Sequence, residues 1–305
     1  MGKKKILVIG GTYFAGRVFV MLASSLGYEL TLLNRGKYSM AHLSGVRECI
    51  CDRRDTQKIH RLPLEKYDAV VDFCAYEPGD VETLWDAASL QTRRYILIST
   101  ADVCKPSEKV RTEESPLRSH EGEDPASQYA YRKRLLEDEV RTLTGKSGKE
   151  YVILRPSFVF GPFNYAPREP EYIRKIVRGE TIRIPADADG KFQMVYVTDM
   201  ARAILACAEK DAAADQVYHL AAPEVLDYQR FVDLFAEVSD RPFKVRSSSV
   251  EEMMAAGDLL PFPLMKEENE IFGGGKICSE LGVAYTPMEK AFAETYRTFR
   301  KVYEQ

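Results

Sequence analysis

Tyr129 and Lys133 stand four residues apart in SQYAYRKRLLEDE. On a helix that spacing puts both side chains on one face. A nearby ammonium favours phenolate and draws a tyrosine pKa down from about 10. The pair therefore predicts a general acid/base usable near neutral pH. In a chain with 17 tyrosines the spacing also arises by chance, and a tyrosine at an interface beside a surface lysine is its plain alternative. The surroundings add weight. YILIST reads as a buried strand that delivers Ser99 and Thr100 to the carboxyl edge of a sheet, where ligands bind in open α/β folds. A hydroxyl there can hold a substrate oxygen next to the tyrosine.

A second group of residues opens the chain. VIGGTYFAGR, residues 8–17, follows an apolar run and precedes an amphipathic one. Strand, glycine loop and helix are the context of a dinucleotide fingerprint. Gly10 and Gly11 suit the tight turn, and Gly16 suits close helix–strand packing. The backbone from Thr12 to Phe14 then faces a pyrophosphate at the helix start. Tyr13 stands where the middle glycine is usual, and its ring is expected to point away from the pyrophosphate while its backbone lines the loop. A helix-packing turn without ligand is the alternative. Asn34-Arg35 ends the second strand, where an acid holding ribose hydroxyls would mark NAD. A guanidinium instead pairs with a 2′-phosphate, so Arg35 favours NADP over NAD, against the reading of a solvated loop arginine. Asp52, after the third strand, is placed to reach the adenine amino group or to be a simple loop charge.

These residues need a scaffold, and the apolar pattern supplies one. Residues 3–10, 28–34, 67–76, 94–100, 150–162 and 216–222 read as strands, several of them continuous apolar runs as in a parallel sheet covered on both faces. Helices are expected over 16–27, ended by Gly27, over 124–143, with Asp124 as cap and Pro125 in the first turn, and over 228–239. FGGGK (272–276) reads as a flexible turn, and an amphipathic helix closes the chain. The expected class is α/β: a Rossmann-type doubly wound parallel sheet with a smaller interleaved C-terminal substrate lobe. Residues 1–161 form the sheet domain, which also receives about 192–225; residues 162–191 and 226–305 form the lobe.

Composition narrows the function. The 305 residues are 45% hydrophobic and 29% charged, with a formal net charge of -3. That balance gives no basis for binding nucleic acid or an anionic membrane. The apolar run after MGKKK is too short for a signal core or a span, and Ile6 excludes the N-myristoylation pattern. The chain is expected to be cytoplasmic. The six cysteines lack a C-x-x-C and are expected as reduced, mostly buried thiols; the four histidines lack metal-ligand spacing, so no metal is expected. The absence of G-x-S-x-G argues against a Ser-His-Asp hydrolase.

Taken together, these motifs resemble the extended short-chain dehydrogenase/reductases, the NAD-dependent epimerase/dehydratase family, over nearly the whole chain. GGTYFAG resembles the family's glycine loop, ISTADV its Ser/Thr strand and YAYRK its Tyr/Lys pair. LRPSFVFGP resembles the segment leading to the nicotinamide, and VYVTDMARAI a Val-x-Asp helix start. GGTYFAGR with LLNRGK and CDRRD resembles a divergent branch that includes the chloroplast stem-loop RNA-binding proteins. The resemblance implies Tyr129 as acid/base, Lys133 on the nicotinamide ribose and tuning Tyr129, and Thr100 as the substrate-side hydroxyl. It implies Ala75, Ser99, Pro156 and Phe158 along the cofactor, and Asp102 and Asn164 toward a substrate, with a turn-shaping role as the alternative for Asn164. It also implies a homodimer.

Departures from the family refine this. The family's dehydratases carry Thr-Asp-Glu where this chain has Thr100-Ala101-Asp102, which disfavours dehydration. Its sugar-nucleotide epimerases carry an arginine where this chain has Phe192, and an aromatic cannot grip a diphosphate. The expected function is NAD(P)-dependent hydride transfer at a hydroxyl or carbonyl carbon of a sugar-like or small carbonyl substrate, by epimerisation or reduction. The alternative is a non-catalytic relative that senses NADP or binds RNA.

Overall fold

The computed structural model describes residues 4–304. Lys3, the first residue of the expected opening strand, and the Met1-Gly2 start lie outside the described residues. The first half alternates strand and helix: β1 (Lys5–Ile9), α1 (Phe14–Ser25), β2 (Glu29–Asn34), β3 (Val46–Ile50), α2 (Thr56–Ile59), β4 (Lys66–Asp72), α3 (Asp80–Ala88), β5 (Gln91–Ile98) and α4 (Pro125–Ser147). The second half runs β6 (Glu150–Pro156), β7 (Phe158–Phe160), α5 (Glu169–Arg178), β8 (Ile182–Pro185), β9 (Met194–Tyr196), α6 (Val197–Glu209), β10 (Gln216–Leu220), α7 (Tyr228–Val238), β11 (Val245–Ser248), α8 (Val250–Ala255), α9 (Lys276–Leu281) and α10 (Met288–Tyr303).

Seven strands form one parallel sheet in the order β10-β6-β5-β4-β1-β2-β3. The chain winds outward from β1 to β3, then resumes on the other side of β1 with β4. The crevice at the carboxyl ends of β1 and β4 is therefore the switch point where such sheets bind ligands. Alternate residues of β1 feed two cores: Ile6 and Val8 face α1 and α6, whereas Leu7 and Ile9 face the side of α3 and α4. Burial on both faces explains the unbroken apolar runs in the sequence.

Helix boundaries follow local chemistry. Asp124 accepts from the Ala126 and Ser127 N–H groups and caps α4, with Pro125 in its first turn. Gly27 takes φ +86° and its N–H bonds to Ser24, while Tyr28 N–H reaches back to Ala23. This is a Schellman end for α1.

The structure corrects four expectations. The 150–162 strand is two: after Pro156 the chain leaves the main sheet, and Phe158–Phe160 pairs with β9 instead. Helix α1 starts at Phe14, not at residue 16. FGGGK is clamped rather than flexible, because Gly273 N–H bonds to the Arg111 carbonyl and a Cβ on Gly274 would stand 2.1 Å from the Ala221 carbonyl oxygen. Helix α9, expected in the lobe, inserts Ile277 and Leu281 into the sheet core. A further core is an aromatic cluster built on Phe160, Phe192, Phe231, Phe235, Phe262 and Phe292, which draws on residues expected in the sheet domain as well as on those expected in the lobe. Among the described residues, no helix is long and apolar enough to cross a membrane.

Candidate active site

The glycine loop sits at the switch point. Gly10 adopts φ +87° and donates to the Leu33 carbonyl at 2.8 Å. Gly16 lies directly against Gly11: a Cβ on Gly16 would be 2.6 Å from the Gly11 Cα. This close approach is what the loop's glycines were expected to permit. Phe14 begins α1 at φ +34°, a left-handed value that costs a bulky residue about 1–3 kcal/mol. Tyr13 precedes it without making a side-chain cap. The first-turn N–H groups of α1 have no intrahelical acceptors, as at any helix start, and so are available to an anion. Below the loop runs a groove of about 680 Å³. Gly10, Gly11, Thr12, Tyr13, Phe14 and Gly16 all line it.

At one end the groove meets Asn34, Arg35, Lys37, Asp52 and Arg54. The Asn34 side chain is committed to its own turn, accepting from Gly36 N–H at 2.6 Å. Arg35 is exposed. Arg54 is held by Asp80 at 2.9 Å. Asp52 accepts from Arg54 N–H while remaining exposed. Arg53, which sequence reasoning passed over, forms the floor: it is 9% exposed and pairs at 2.9 Å with the fully buried Asp72, which also accepts from Tyr95.

At the other end, Tyr129 on α4 lines the groove with 40% of its surface exposed. Lys133 is buried beneath, and its Nζ donates to the Ala75 carbonyl at 2.9 Å and the Ile98 carbonyl at 2.6 Å. Burial draws the Lys133 ammonium down to about 8, with Asp72 and Glu137 opposing. The Tyr129 phenol moves the opposite way from the sequence expectation. Partial burial, with Tyr76, Asp102 and Tyr165 nearby, raises it above its usual value. The ammonium is spent on backbone carbonyls, and the surrounding phenols and carboxylate oppose a second negative charge.

The hydroxyls beside this pair differ in availability. Ser99 lines the groove but donates to Glu137 at 2.7 Å. Glu137 in turn holds Arg155 at 2.6 Å, a fully buried ion pair. Thr100 is buried and stands behind the residues that line the groove; it donates to Asp102 at 3.0 Å and accepts from the Asp102 N–H at 3.3 Å, leaving one lone pair. Pro156 lines the groove, whereas Phe158 packs edge-on against Phe192 and Phe262. Phe192 is fully buried and stacks on Phe262 at 3.9 Å, so no ligand reaches it.

Both polar ends of Asn164 serve the loop after Phe160. Its amide donates to Glu169 at 2.7 Å and its oxygen accepts from Ala166 N–H at 2.9 Å. The neighbour that does reach the groove is Tyr165, with Tyr38 and Tyr76. GPFNY carries it in plain view, but nothing in its spacing separates it from a packing tyrosine. Glu270 gave no sequence signal. Burial and the nearby Asp102 push its carboxyl well above the usual range, against the pull of Arg111, Arg168 and Arg118. A separate surface depression of about 950 Å³ between Leu26, Arg202 and Gly282 holds none of these groups.

Comparison with known proteins shows the family and the fold. The family model described as NAD dependent epimerase/dehydratase family matches residues 6–221. The chain is 26% identical over 260 residues to the chloroplast stem-loop binding protein of 41 kDa b of Arabidopsis thaliana, covering 79% of this chain. It is 24% identical over 167 residues to UDP-glucose 4-epimerase of Vibrio cholerae, covering 54% of this chain. The matches span 64% and 49% of those two relatives' lengths. Among solved structures, UDP-glucose 4-epimerase of Thermotoga maritima with UDP-glucose superposes with a TM-score of 0.78 at 20% identity, covering 98% of this chain and 99% of that one. UDP-glucuronic acid 4-epimerase of Bacillus cereus, in complex with UDP-glucuronic acid and NAD, gives 0.77 at 16% identity, covering 98% and 99%. These two likenesses establish a shared fold.

Proposed function

The chain belongs to the NAD dependent epimerase/dehydratase family, and from that premise we propose that it transfers hydride at a hydroxyl or carbonyl carbon of a sugar-like or small carbonyl substrate. The observation that carries the reading is Tyr129 standing in the wall of a groove that begins at the glycine loop, with Lys133 anchored beneath it. The loop fits a dinucleotide: a Cβ on Gly11 would strike Val8 and a Cβ on Gly16 would strike Gly11 itself, so glycine at both positions lets the start of α1 sit tight against β1 at the groove. When bound, the nicotinamide supplies hydride acceptance and donation. The protein's own residues do the rest. Tyr129 moves the proton of the reacting oxygen. Its raised pKa keeps it protonated and ready to donate to a carbonyl. The free lone pair of Thr100 accepts from a substrate hydroxyl, and Asp102 fixes the orientation of that hydroxyl partner.

Lys133 has three N–H donors as an ammonium, and two already serve Ala75 and Ile98. The third holds a ribose hydroxyl. A neutral amine has no donor left for it. Cofactor affinity is therefore expected to fall as pH rises through about 8, the value to which burial draws Lys133. Titration of reduced cofactor by fluorescence across that range checks this, and Lys133→Met flattens the profile.

Arg35, Lys37 and Arg54 at the adenosine end, with Asn34 in place of an acid, support NADP over NAD. Arg35→Ala is expected to weaken NADPH at least tenfold, the scale of one charge-assisted hydrogen bond, while NADH changes less than twofold or so on the same scale. Isothermal titration with both cofactors measures the difference.

Ala101 in place of an acid argues against dehydration, and the enclosed Phe192 against a diphosphate grip at that position. A purified sample challenged with UDP-sugars, free sugars and small carbonyl compounds, followed by nicotinamide absorbance and product chromatography, tests the reading. Failure of every class to change the cofactor's redox state or yield an epimer overturns it. The match to a stem-loop binding protein supports a second reading, a binding relative without catalysis. Gel shift with structured RNA tests it. The intact Tyr129, Lys133 and Thr100 set and the net charge of -3 favour the first.

A further inference from the structure

We propose that Tyr38, Tyr13 and Tyr165 form an aromatic strap that closes the cofactor groove and slows cofactor release. The inference rests on the reading that this groove holds a dinucleotide. Tyr13 occupies the position of a missing glycine, and its ring is sandwiched. Tyr38 lies on one side at 5.5 Å with the planes 6° apart, and Tyr165 on the other at 4.8 Å and 28°. All three rings line the groove.

The three come from different parts of the chain. Tyr38 belongs to the loop after β2, beside Arg35 and Lys37 at the adenosine end; the Lys37 ammonium sits 5.3 Å above its ring. Tyr165 belongs to the loop after β7 and lines the same groove as Tyr129. The stack thus ties the glycine loop to the loop after β2 and to the loop after β7 along the groove.

The loop that carries Tyr165 is built to present it. Asn164 and Gly161 both bond to Glu169, which fixes the turn from within. Phe163 is forced to φ +68° and meets Arg17 of α1, whose guanidinium lies 5.0 Å from the ring centre. Tyr165 also meets Phe14 edge-on at 6.0 Å. Three aromatic or cation contacts therefore dock this loop on the glycine loop. Tyr165 nevertheless remains 66% exposed, so its ring can swing away without exposing core. Swinging the ring costs its contacts with Tyr13 and Phe14 and leaves the Glu169 bonds of the loop in place, which is what a strap rather than a wall requires.

Preloading the full chain with NADPH or NADH and chasing with excess oxidised cofactor, read by nicotinamide fluorescence in stopped flow, measures release. Tyr165→Ala and Tyr13→Gly are each expected to speed release roughly tenfold, the scale of one or two aromatic pairs, while Tyr165→Phe keeps the wild-type rate. Because the rings act as one stack, the double variant is expected to release no faster than the faster single variant. Release rates unchanged in both single variants overturn the strap, as does a double variant whose effect is the product of the two. If the wild-type protein binds neither cofactor, the underlying reading of the groove fails, and the strap with it. The melting temperature of each variant separates loss of the fold from loss of the strap.

Discussion

Tyr129→Phe is expected to lower turnover by a factor of about 10²–10⁴, the usual contribution of a positioned acid/base, while leaving cofactor affinity near wild type. The substitution removes one oxygen and keeps the ring that lines the groove. Lys133 keeps both carbonyl anchors, so the ribose contact proposed for it is expected to survive. The effect should fall on turnover rather than binding, because the lost group acts on the reacting oxygen. The measurement is kcat/KM on any substrate found active, alongside the dissociation constant of the reduced cofactor. Equal loss of both parameters would mean that Tyr129 shapes the groove rather than moving a proton. Wild-type activity would transfer the weight to the binding reading.

The second large effect lies behind the site. Glu137→Ala should cost about 3–5 kcal/mol of folding stability, since it leaves a buried guanidinium without its partner. Glu137 is fully buried, Arg155 is 1% exposed, and the two are joined through two of the three guanidinium nitrogens, Nη2 at 2.6 Å and Nε at 2.9 Å. The same carboxylate accepts from Ser99, so one residue of α4 fastens the helix to β5 and β6 together. Natural domains are stable by only about 5–15 kcal/mol, and the midpoint of urea unfolding should fall sharply. Ser99→Ala is the mild control, at about 1 kcal/mol for a lost hydrogen bond. A small effect from Glu137→Ala would show that Arg155 finds water or another acceptor.

How far the sequence announces these features depends on what kind of physics places them. The sheet was legible because strands covered on both faces must be apolar at every position, as in KILVI and YILI. The glycine loop was legible because only glycine tolerates the approach of Gly16 to Gly11. Helix α4 announced itself through Asp124 and Pro125. The break after Pro156 did not, because the residues on both sides are equally apolar and only tertiary pairing sends β7 to β9. The polar side chains near the site were harder still. Ser99 and Asn34 are expected as ligand contacts, and Asn164 as a ligand contact or a shaper of its turn; Ser99 and Asn34 line the groove, and all three also hydrogen-bond within the protein. A sequence records which groups can bond but not which partner they choose. Tyr129's raised pKa has the same origin: Lys133 was legible as its helical neighbour, but the carbonyls that claim the ammonium and the Asp102 opposite come from elsewhere in the chain. The strap was least legible. Tyr13 stood out as an exception to a motif, but its stacking partners lie in two unrelated loops.

The path of the chain between its two halves has a consequence for how the molecule can be altered. After β6 it enters the lobe, returns for α6 and β10, leaves again for α7, comes back with α9 and ends on the lobe as α10. No single cut releases either half with its core complete. Neither core can be traded as a cassette, and a proteolytic nick beside one should loosen the other. Heat should unfold both in one cooperative step. New specificity in this chain would have to come from substitutions within the existing loops.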